Sequence, residues 1–221
     1  MPRSAADRDR RAARAPQQAR SRARHDRIVE AAEALVSEKG FAAASVAEMA
    51  RRSGCSVGAF YARFCDKQAL LHALHERFLA RAAAQLDAHL APERAERLAL
   101  PALLYGVVRA LVEIHRRERG LVRALAVEAW RDAPFQTLRD ALALHVGRRL
   151  GEVMRARAAE IGHHHPERAV AFGLVVVLGS IENALLFDRL RTAAGLTPSD
   201  DDLAAELSRL FRAYLEVPAP S

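Results

Sequence analysis

The sequence predicts an all-α protein, in which a three-helix domain near the N-terminus is followed by a larger helical domain. Ala, Leu, Arg and Glu dominate the 221 residues, while aromatic residues make up only 5%, and such a composition favours helices over strands. Apolar side chains recur at helical spacing, without the alternation of a half-buried strand. Since 51% of the residues are apolar, a buried core is possible, and we expect about nine helices.

The first predicted helix runs from about His25 to Lys39 and ends at Gly40. Its apolar residues recur at i, i+3, i+4, i+7 and i+8, which is the pattern of one buried face. They are Ile28, Ala31, Ala32, Leu35 and Val36. We therefore expect one side of this helix to lie in a core.

A short second helix is predicted to begin at Ser45 and to end near Ser53. Ser45 and Glu48 fit the capping box S-x-x-E, in which each side chain satisfies a backbone N–H at a helix start. Gly54 follows the last turn, where a left-handed residue commonly ends a helix. The buried face of this helix would consist of Val46, Met49 and Ala50.

The third predicted helix starts at Ser56, a favoured N-cap residue, and completes a helix-turn-helix. Phe60 and Phe64 are four residues apart and are interpreted as core. In a helix-turn-helix, the N-terminal residues of this helix read base edges, and an apolar side chain can contact a thymine methyl group. Small or apolar residues stand at these positions: Val57, Gly58 and Ala59.

Polar residues around the third helix are suited to hold the sugar–phosphate backbone. Tyr61 and Arg63 can donate to phosphate oxygens, and Lys67 stands in the first turn of the next helix, where Asp66 is the expected cap. For Tyr61 the alternative is that its ring belongs to the core. The candidate DNA contacts are Arg22, Arg24, Ser45, Ser56, Val57, Gly58, Ala59, Tyr61, Arg63 and Lys67.

Residues from Arg24 to about Phe78 resemble the DNA-binding domain of the TetR (tetracycline-repressor-like) family of transcriptional regulators. The resemblance rests on Gly40-Phe41, on the helix from Ser45, and on the pattern G-x-S-x-G-x-x-Y-x-x-F with a basic residue before Ala-Leu-Leu. This chain supplies Gly54, Ser56, Gly58, Tyr61, Phe64, Lys67, Ala69, Leu70 and Leu71 at the matching places.

The chain departs from the family pattern at four positions. Ala44 and Ala47 stand where hydroxyl or polar groups are frequent, so the second helix is expected to make fewer DNA contacts. Cys55 and Cys65 also differ from the usual residues, but neither change removes a phosphate donor. Two cysteines in a chain without a secretory signal are interpreted as reduced, cytoplasmic thiols, with a redox switch as the alternative.

The charge distribution agrees with a DNA-binding N-terminal part. Residues 1–68 carry fourteen basic and eight acidic side chains, whereas residues 69–221 carry twenty and nineteen. Residues 1–22 are predicted to form a disordered basic arm, because they are rich in arginine and lack an apolar stripe. Two interpretations stay open: an arm that contacts phosphates or a minor groove, and a solvated tail with a weak attraction to any polyanion.

The domain boundaries are predicted at 23–68 for the helix-turn-helix domain and 69–217 for the second domain. A long helix is expected from Asp66 to about Leu90, and five more follow it. Their approximate bounds are 93–117, 120–131, 134–160, 166–189 and 199–216.

The helix over 166–189 contains thirteen residues without a charge, 169–181, which is too short for a membrane span. An entirely apolar helix must be covered on all sides, and Gly173 and Gly179 would let another helix approach closely. The resemblance implies that the last two helices pair with their copies in a homodimer. The alternative is a monomer whose other helices cover these faces.

The resemblance also implies that the middle helices enclose a cavity for a small ligand. An apolar or aromatic effector is expected, and each candidate residue is alternatively plain core. A buried indole N–H or amide needs a polar partner, which a ligand would supply. The candidate ligand-binding residues are Tyr105, Val108, Trp130, Phe135, Leu142, Asn183 and Phe187.

Other kinds of site have weaker support. His163-His164-His165 resembles a metal-binding tract, but it lies in a predicted loop without a Cys or carboxylate partner, and we expect neither a metal nor another cofactor. His72 and His75 are expected on a solvated helix face. We see no catalytic grouping, so an enzyme is not expected.

The sequence thus predicts a cytoplasmic, dimeric regulator of transcription, most often a repressor in such proteins, that binds a palindromic double-stranded DNA operator. A small ligand would release it, and no membrane is involved. The main alternative is a DNA-binding protein that responds to no ligand; a helical enzyme is a more distant one.

Overall fold

The computed structural model describes residues 5–130 and 133–218, with side chains except those of residues 5–20 and 139. Within these ranges the chain forms eleven α-helices and one short 3-10 helix without any strand, so the all-α prediction is confirmed. The chain divides into two compact units, and the boundary falls between Leu74 and His75. The sequence predicted a division after residue 68, whereas the first turns of the long helix α4 (Lys67–His89) belong to the N-terminal unit.

Helix α1 spans Ala5–Lys39 and begins well before the predicted start at His25. The backbone of residues 5–22 is part of this helix, and residues 1–4 of the predicted arm lie outside the described residues. The physical reason is composition, because Ala and Arg, two of the strongest helix formers, occupy most of this segment. Among the described side chains, the buried face of α1 consists of Ile28, Val29, Ala32, Leu35 and Val36.

Helices α2 (Val46–Arg52) and α3 (Val57–Tyr61) complete the helix-turn-helix. The predicted glycine stop of α1 is confirmed, since Gly40 has a φ of +82°. Arg52 donates two hydrogen bonds, of 2.7 and 2.6 Å, to the carboxylate of Glu38. This paired contact ties the end of α2 to the last turns of α1.

The turn between α2 and α3 is fixed by the backbone. Gly54 has a φ of +67°, as the sequence predicts for a residue that ends a helix. Its N–H donates to the carbonyl of Arg51 at 3.2 Å, and the N–H of Cys55 donates to that of Ala50 at 2.9 Å. These two bonds form a Schellman motif, which ends α2 and sets the direction in which α3 starts.

The C-terminal unit contains the rest of α4 and seven further α-helices. They are α5 (Pro92–Arg97), α6 (Leu100–Arg117), α7 (Arg119–Ala129), α8 (Ala133–Ala156), α9 (Pro166–Leu185), α10 (Arg189–Ala194) and α11 (Asp200–Tyr214).

Two of these helices were not predicted as separate elements. The single helix expected over 93–117 is divided at Leu98, whose ψ of 140° is extended. Helix α6 then begins with Pro101 in its first turn, where the missing N–H of proline costs nothing. Helix α10 lies between the last two predicted helices.

Helix α9 is central to the C-terminal unit, where it contacts α6, α8, α10 and α11. A Cβ placed on Gly173 would lie 2.4 Å from the ring of Phe211 in α11, so this glycine does allow the predicted close approach. Gly179, in contrast, has no such neighbour within 4 Å. By length and composition, α9 is apolar enough to cross a membrane, but core helices of soluble proteins pass the same test.

Candidate nucleic-acid interface and ligand pocket

The start of α3 presents a small exposed face on a well-packed helix. Ser56 caps this helix as predicted, because its Oγ accepts a hydrogen bond from the N–H of Ala59 at 3.1 Å. On the inner side, the ring of Phe60 is fully buried. On the outer side, Val57 and Gly58 are exposed. A helix with one packed side and an open N-terminal end fits the major groove of DNA.

Tyr61 ends α3 and is 51% exposed, with its ring edge-on to that of Phe60 at a centroid distance of 5.5 Å. The core interpretation is therefore wrong for Tyr61, although it is right for Phe60 and Phe64. Its exposed hydroxyl group is on the same short helix as the predicted base contacts. A contact between Tyr61 and a phosphate stays a prediction.

Arg63 lies just beyond α3 and is held by side chains of α1. Its Nε donates to Nδ1 of His25 at 3.1 Å, and its Nη1 donates to Oγ of Ser21 at 3.3 Å. The His25 ring in turn lies 5.3 Å from the ring of Phe64. Because a guanidinium has five N–H donors, Arg63 is oriented by α1 and still has donors for a phosphate.

Lys67 has a structural contact that the sequence did not indicate. Its Nζ donates to the carbonyl oxygens of Phe41 and, at 3.2 Å, of Ala42, and it lies 4.4 Å from the centroid of the Phe41 ring. The ammonium thus fixes the loop that follows α1, and its contact with a phosphate stays a prediction. Asp66 caps α4 as expected, because its Oδ1 accepts from the N–H of Ala69 at 2.6 Å.

Ser45 caps α2 by accepting a hydrogen bond from the N–H of Glu48 at 3.2 Å. The side chain of Glu48 does not complete the predicted capping box, because it pairs with Lys39 at the end of α1. This hydrogen bond lowers the pKa of Glu48, just as the one from Arg52 lowers the pKa of Glu38. Two ion pairs thus fasten the supporting helix α2 to α1.

The structure does not bring Arg22 and Arg24 together. Both are exposed on α1, but a helix turns by about 100° per residue, so residues two apart point about 200° apart. The two side chains therefore start from nearly opposite sides of α1, and a DNA contact by either of them stays a prediction. The candidates that do lie together are Ser56, Val57, Gly58, Ala59, Tyr61 and Arg63.

The three histidines of the alternative metal site lie directly before α9. The rings of His163 and His164 stack at 4.6 Å, and the former lies 5.2 Å from the ring of Tyr214. Within the described residues, no group of three or more His, Cys, Asp or Glu side chains is arranged to hold a metal ion. Cys55 and Cys65 are free thiols.

The seven predicted ligand-binding residues do not line one cavity. Trp130 is 88% exposed, because it lies at the C-cap of α7 where the chain leaves the core. Asn183 donates to the carbonyl of Gly179 in its own helix at 2.7 Å. Phe187 lies beyond the end of α9 and is exposed, as is Tyr105 on α6. The buried members are Val108, Phe135 and Leu142.

A pocket of about 200 Å³ lies among α4, α6, α7, α8 and α9. Leu142 lines it, but the other six predicted residues do not. Its apolar wall includes Phe78, Val122, Leu125, Leu142 and Val175. Its polar wall consists of His75, His115, Asp140 and Glu182.

The two histidines of this wall, His75 and His115, are not among the residues predicted to bind a ligand. His75 is buried, so the expected position on a solvated face is wrong. The signal was present, because His75 stands four residues after Leu71 and three before Phe78, both of which are buried. His115 likewise belongs to the buried face of α6.

His115 has a defined hydrogen-bonding state. It is 3% exposed, and its Nδ1 lies 2.8 Å from the carbonyl oxygen of Leu111. A carbonyl only accepts, so Nδ1 carries the hydrogen. Burial lowers the pKa of His115 and favours the neutral ring, in which Nε2 is a hydrogen-bond acceptor.

A second, larger groove of about 620 Å³ lies among α9, α10 and α11. Asn183, one of the predicted ligand residues, lines this groove rather than the pocket. Its apolar members include Leu190, Leu196, Leu203, Leu207 and Leu210. Of the seven predicted ligand residues, only Leu142 and Asn183 line these two depressions, one in each.

Comparison with known proteins agrees with the helix-turn-helix. Residues 28–74 match the family model of bacterial regulatory proteins of the tetR family. The HTH-type transcriptional regulator YvdT of Bacillus subtilis is 33% identical over 67 residues, which is 30% of this chain. The chain spans only 34% of the length of that relative, so the similarity concerns one domain.

Solved structures extend the likeness in fold to most of the chain. A TetR-family transcriptional regulator from Mesorhizobium loti matches 89% of this chain and 96% of its own, with a TM-score of 0.68 and 18% identity. A transcriptional regulator from Rhodococcus sp. Rha1 matches 86% and 95%, with a TM-score of 0.66 and 24% identity. Residues 28–74 thus match the model of the tetR family of bacterial regulatory proteins, and the solved structures show that the fold is shared over most of the chain.

Proposed function

We propose that the chain is a transcriptional repressor that binds a palindromic DNA operator as a homodimer and leaves it when a small ligand binds. The observation that carries the DNA-binding part is the exposed N-terminal end of α3 above the fully buried Phe60. The protein would act in the cytoplasm, where its operator is, and it would not be an enzyme.

In the proposed complex, α3 enters the major groove with its N-terminal end. Val57 meets a thymine methyl group, and Gly58 and Ala59 let the backbone approach the base edges. Tyr61 and Arg63 flank these residues and donate to phosphates on either side of the groove. The basic excess of residues 1–68 would add a salt-dependent attraction that does not depend on sequence.

A homodimer through α9 and α11 is supported by apolar side chains that this chain leaves uncovered. They are Phe172, Val175 and Val176 on α9, and Leu210 and Tyr214 on α11. Large apolar patches on a soluble protein mark contact surfaces. Two recognition helices one helical turn apart would then read the two halves of a palindrome.

Release by a ligand would act through α4, which runs from the N-terminal unit into the C-terminal one. Its residues His75 and Phe78 line the pocket. A ligand there shifts the equilibrium only if it binds the DNA-bound and DNA-free forms with different affinity. A ligand that binds tightly and leaves operator affinity unchanged would refute this coupling.

Selection of duplexes from a random pool, followed by footprinting, tests the proposed DNA binding. We expect one enriched motif with inverted symmetry and two protected patches about 34 Å apart. A pool in which no sequence is enriched would contradict sequence-specific recognition. The ligand-independent alternative predicts the same motif, but no small molecule would then change the affinity for it.

A further inference from the structure

We propose that the pocket among α4, α6, α7, α8 and α9 takes a small apolar or aromatic molecule that carries a protonated amine. This inference rests on the proposed ligand response, because it assigns a chemical class to the same pocket. Asp140 would pair with the ammonium group at the rim, and His115 would accept a hydrogen bond farther inside. The polar groups described on this wall are two carboxylates and two imidazoles, and none of them is a lysine or an arginine.

The lining of the pocket is acidic despite the basic character of the chain. Among the described residues that line it, Asp140 and Glu182 are carboxylic acids, and there is no Lys or Arg. The whole chain has a net charge of +7, so this local excess of acid runs against the average composition. Ionised carboxylates only accept hydrogen bonds, and they favour a cation over an anion of the same shape.

His115 adds a buried acceptor to this wall. The Leu111 carbonyl takes the hydrogen on Nδ1, at an N···O distance of 2.8 Å, which leaves Nε2 as the acceptor of the neutral ring. An acceptor of this kind can take a hydrogen from a ligand N–H or O–H group, whereas a ligand carboxylate or ether has no hydrogen to donate. His75, also 2% exposed, provides a second imidazole on the wall.

The rest of the pocket sets the size and the polarity of the ligand. Phe78, Val122 and Leu125 are buried and provide an apolar surface on α4 and α7. A volume of about 200 Å³ is below the range of about 300–1,000 Å³ that drug-sized ligands occupy. The pocket therefore suits a single aromatic ring, or an aliphatic group of similar size, with a short arm.

Three probes of matched shape test the charge preference: phenethylamine, phenethyl alcohol and hydrocinnamate. Their dissociation constants would be measured by titration calorimetry on the full chain near neutral pH and at low ionic strength. We expect the amine to bind at least about tenfold more tightly than the anion, with the alcohol between them. Equal affinities, tighter binding of the anion, or no detectable binding of the amine would overturn the proposal.

Substitutions of one acidic residue in each depression test where the amine binds. Asp140→Asn should weaken binding of phenethylamine about fivefold to tenfold and leave phenethyl alcohol unchanged, because the substitution removes charge but keeps shape. Glu206→Gln, in the second groove, is the matched control and should change neither. If Glu206→Gln weakens amine binding and Asp140→Asn does not, the assignment to this pocket is wrong.

A separate titration of operator DNA keeps this proposal distinct from the repressor function. If the amine binds with the expected preference but leaves operator affinity unchanged, the pocket assignment stands and the ligand-release mechanism fails. If another compound class releases the DNA while phenethylamine does not bind, the assigned chemistry fails and the repressor function stands.

Discussion

In the proposed complex, some side chains on α3 contact base edges and others contact phosphates. Val57 at the helix start is exposed toward the side that would enter the groove, whereas Tyr61 at the other end offers a hydroxyl group. A contact with a base distinguishes sequences, while a contact with a phosphate strengthens binding to all of them. The two residues should therefore respond differently to substitution.

Tyr61→Phe removes only the hydroxyl group that would reach a phosphate. We expect a loss of affinity of about fivefold on every duplex, because a hydrogen bond to a charged group is worth about 1.5 kcal/mol or slightly more, and an exposed one less. Fluorescence anisotropy titrations on the selected operator and on a random duplex would measure it. Tyr105→Phe, on α6, is the control; a loss confined to one sequence would contradict a phosphate contact.

His115 links the stability of the C-terminal unit to pH. Because burial lowers its pKa in the folded chain, the unfolded chain binds a proton below about pH 6.5 that the folded chain does not bind. Its contribution is fully present above that pH and is lost as the pH falls toward the lowered pKa. Urea unfolding at several pH values should show stability declining from about pH 7.5 to about pH 5.5.

The variant His115→Leu should flatten this decline, even if it also lowers stability at neutral pH. His164→Leu, in the loop before α9, should leave the slope as it is, because His164 is exposed. An identical slope in His115→Leu and the wild type would show that the buried ring does not set the pH dependence.

At the scale of elements, the turn between α2 and α3 decides where the recognition helix begins. Gly54 has a positive φ that other residues adopt at a cost, and its backbone bonds close α2. Gly58 has no positive φ, and a Cβ there would lie 3.9 Å from Oγ of Ser56, which is an ordinary contact. Gly54 is therefore needed for the backbone conformation of the turn, whereas the proposed reason for Gly58 is close approach to DNA.

Substitution by alanine should separate an effect on stability from an effect on DNA binding. Gly54→Ala should destabilise the N-terminal unit by about 1 kcal/mol, because a left-handed conformation is unfavourable for a residue with a Cβ. Gly58→Ala should be neutral or stabilising by up to about 1 kcal/mol, yet weaken DNA binding if the backbone approaches the groove. Urea unfolding and anisotropy on the same samples would measure both effects. A Gly54→Ala protein as stable as the wild type would contradict the left-handed conformation of Gly54.

At the scale of the whole molecule, the exposed apolar faces of α9 and α11 form the proposed dimer interface. Phe172 is 59% exposed on α9, beside the ring of Tyr214 at 5.6 Å. Phe172→Glu should convert the dimer to a monomer in sedimentation analysis, because it would bury an unpaired charge in the interface. Leu144→Glu on α8, where the side chain is 70% exposed, should remain dimeric; a dimeric Phe172→Glu protein would rule out this interface.

The helix-turn-helix was predictable because its signals are local. Ser56 as N-cap, Gly54 as the stop of α2 and Phe60 as the packed side each follow from a few neighbouring residues, and the structure has all three. The capping box predicted at Ser45 is confirmed only for the serine, because the side chain of Glu48 pairs with Lys39 on α1. A partner distant in sequence competes with the local one, and spacing alone does not reveal it.

The ligand pocket was poorly predicted because its lining comes from five helices. The indole of Trp130 was predicted to lie in the ligand cavity, but the residue lies at the end of α7 and is exposed. The polar side chain of His75 favoured a solvated face, but Leu71 and Phe78 on the same side of α4 are buried, and His75 is buried with them. Which face of a helix is buried in a multi-helix unit depends on packing that periodicity does not determine.

The most direct test of DNA recognition by α3 is a gel-shift titration of the selected operator with two matched valine variants. Val57 on α3 and Val127 on α7 are 42% and 41% exposed, so Val57→Asp and Val127→Asp place the same charge at equally accessible positions. We expect Val57→Asp to lose about a hundredfold or more in affinity, since its carboxylate would face the phosphate-lined groove, while Val127→Asp binds like the wild type. Wild-type affinity of a folded Val57→Asp protein would contradict the entry of α3 into the major groove.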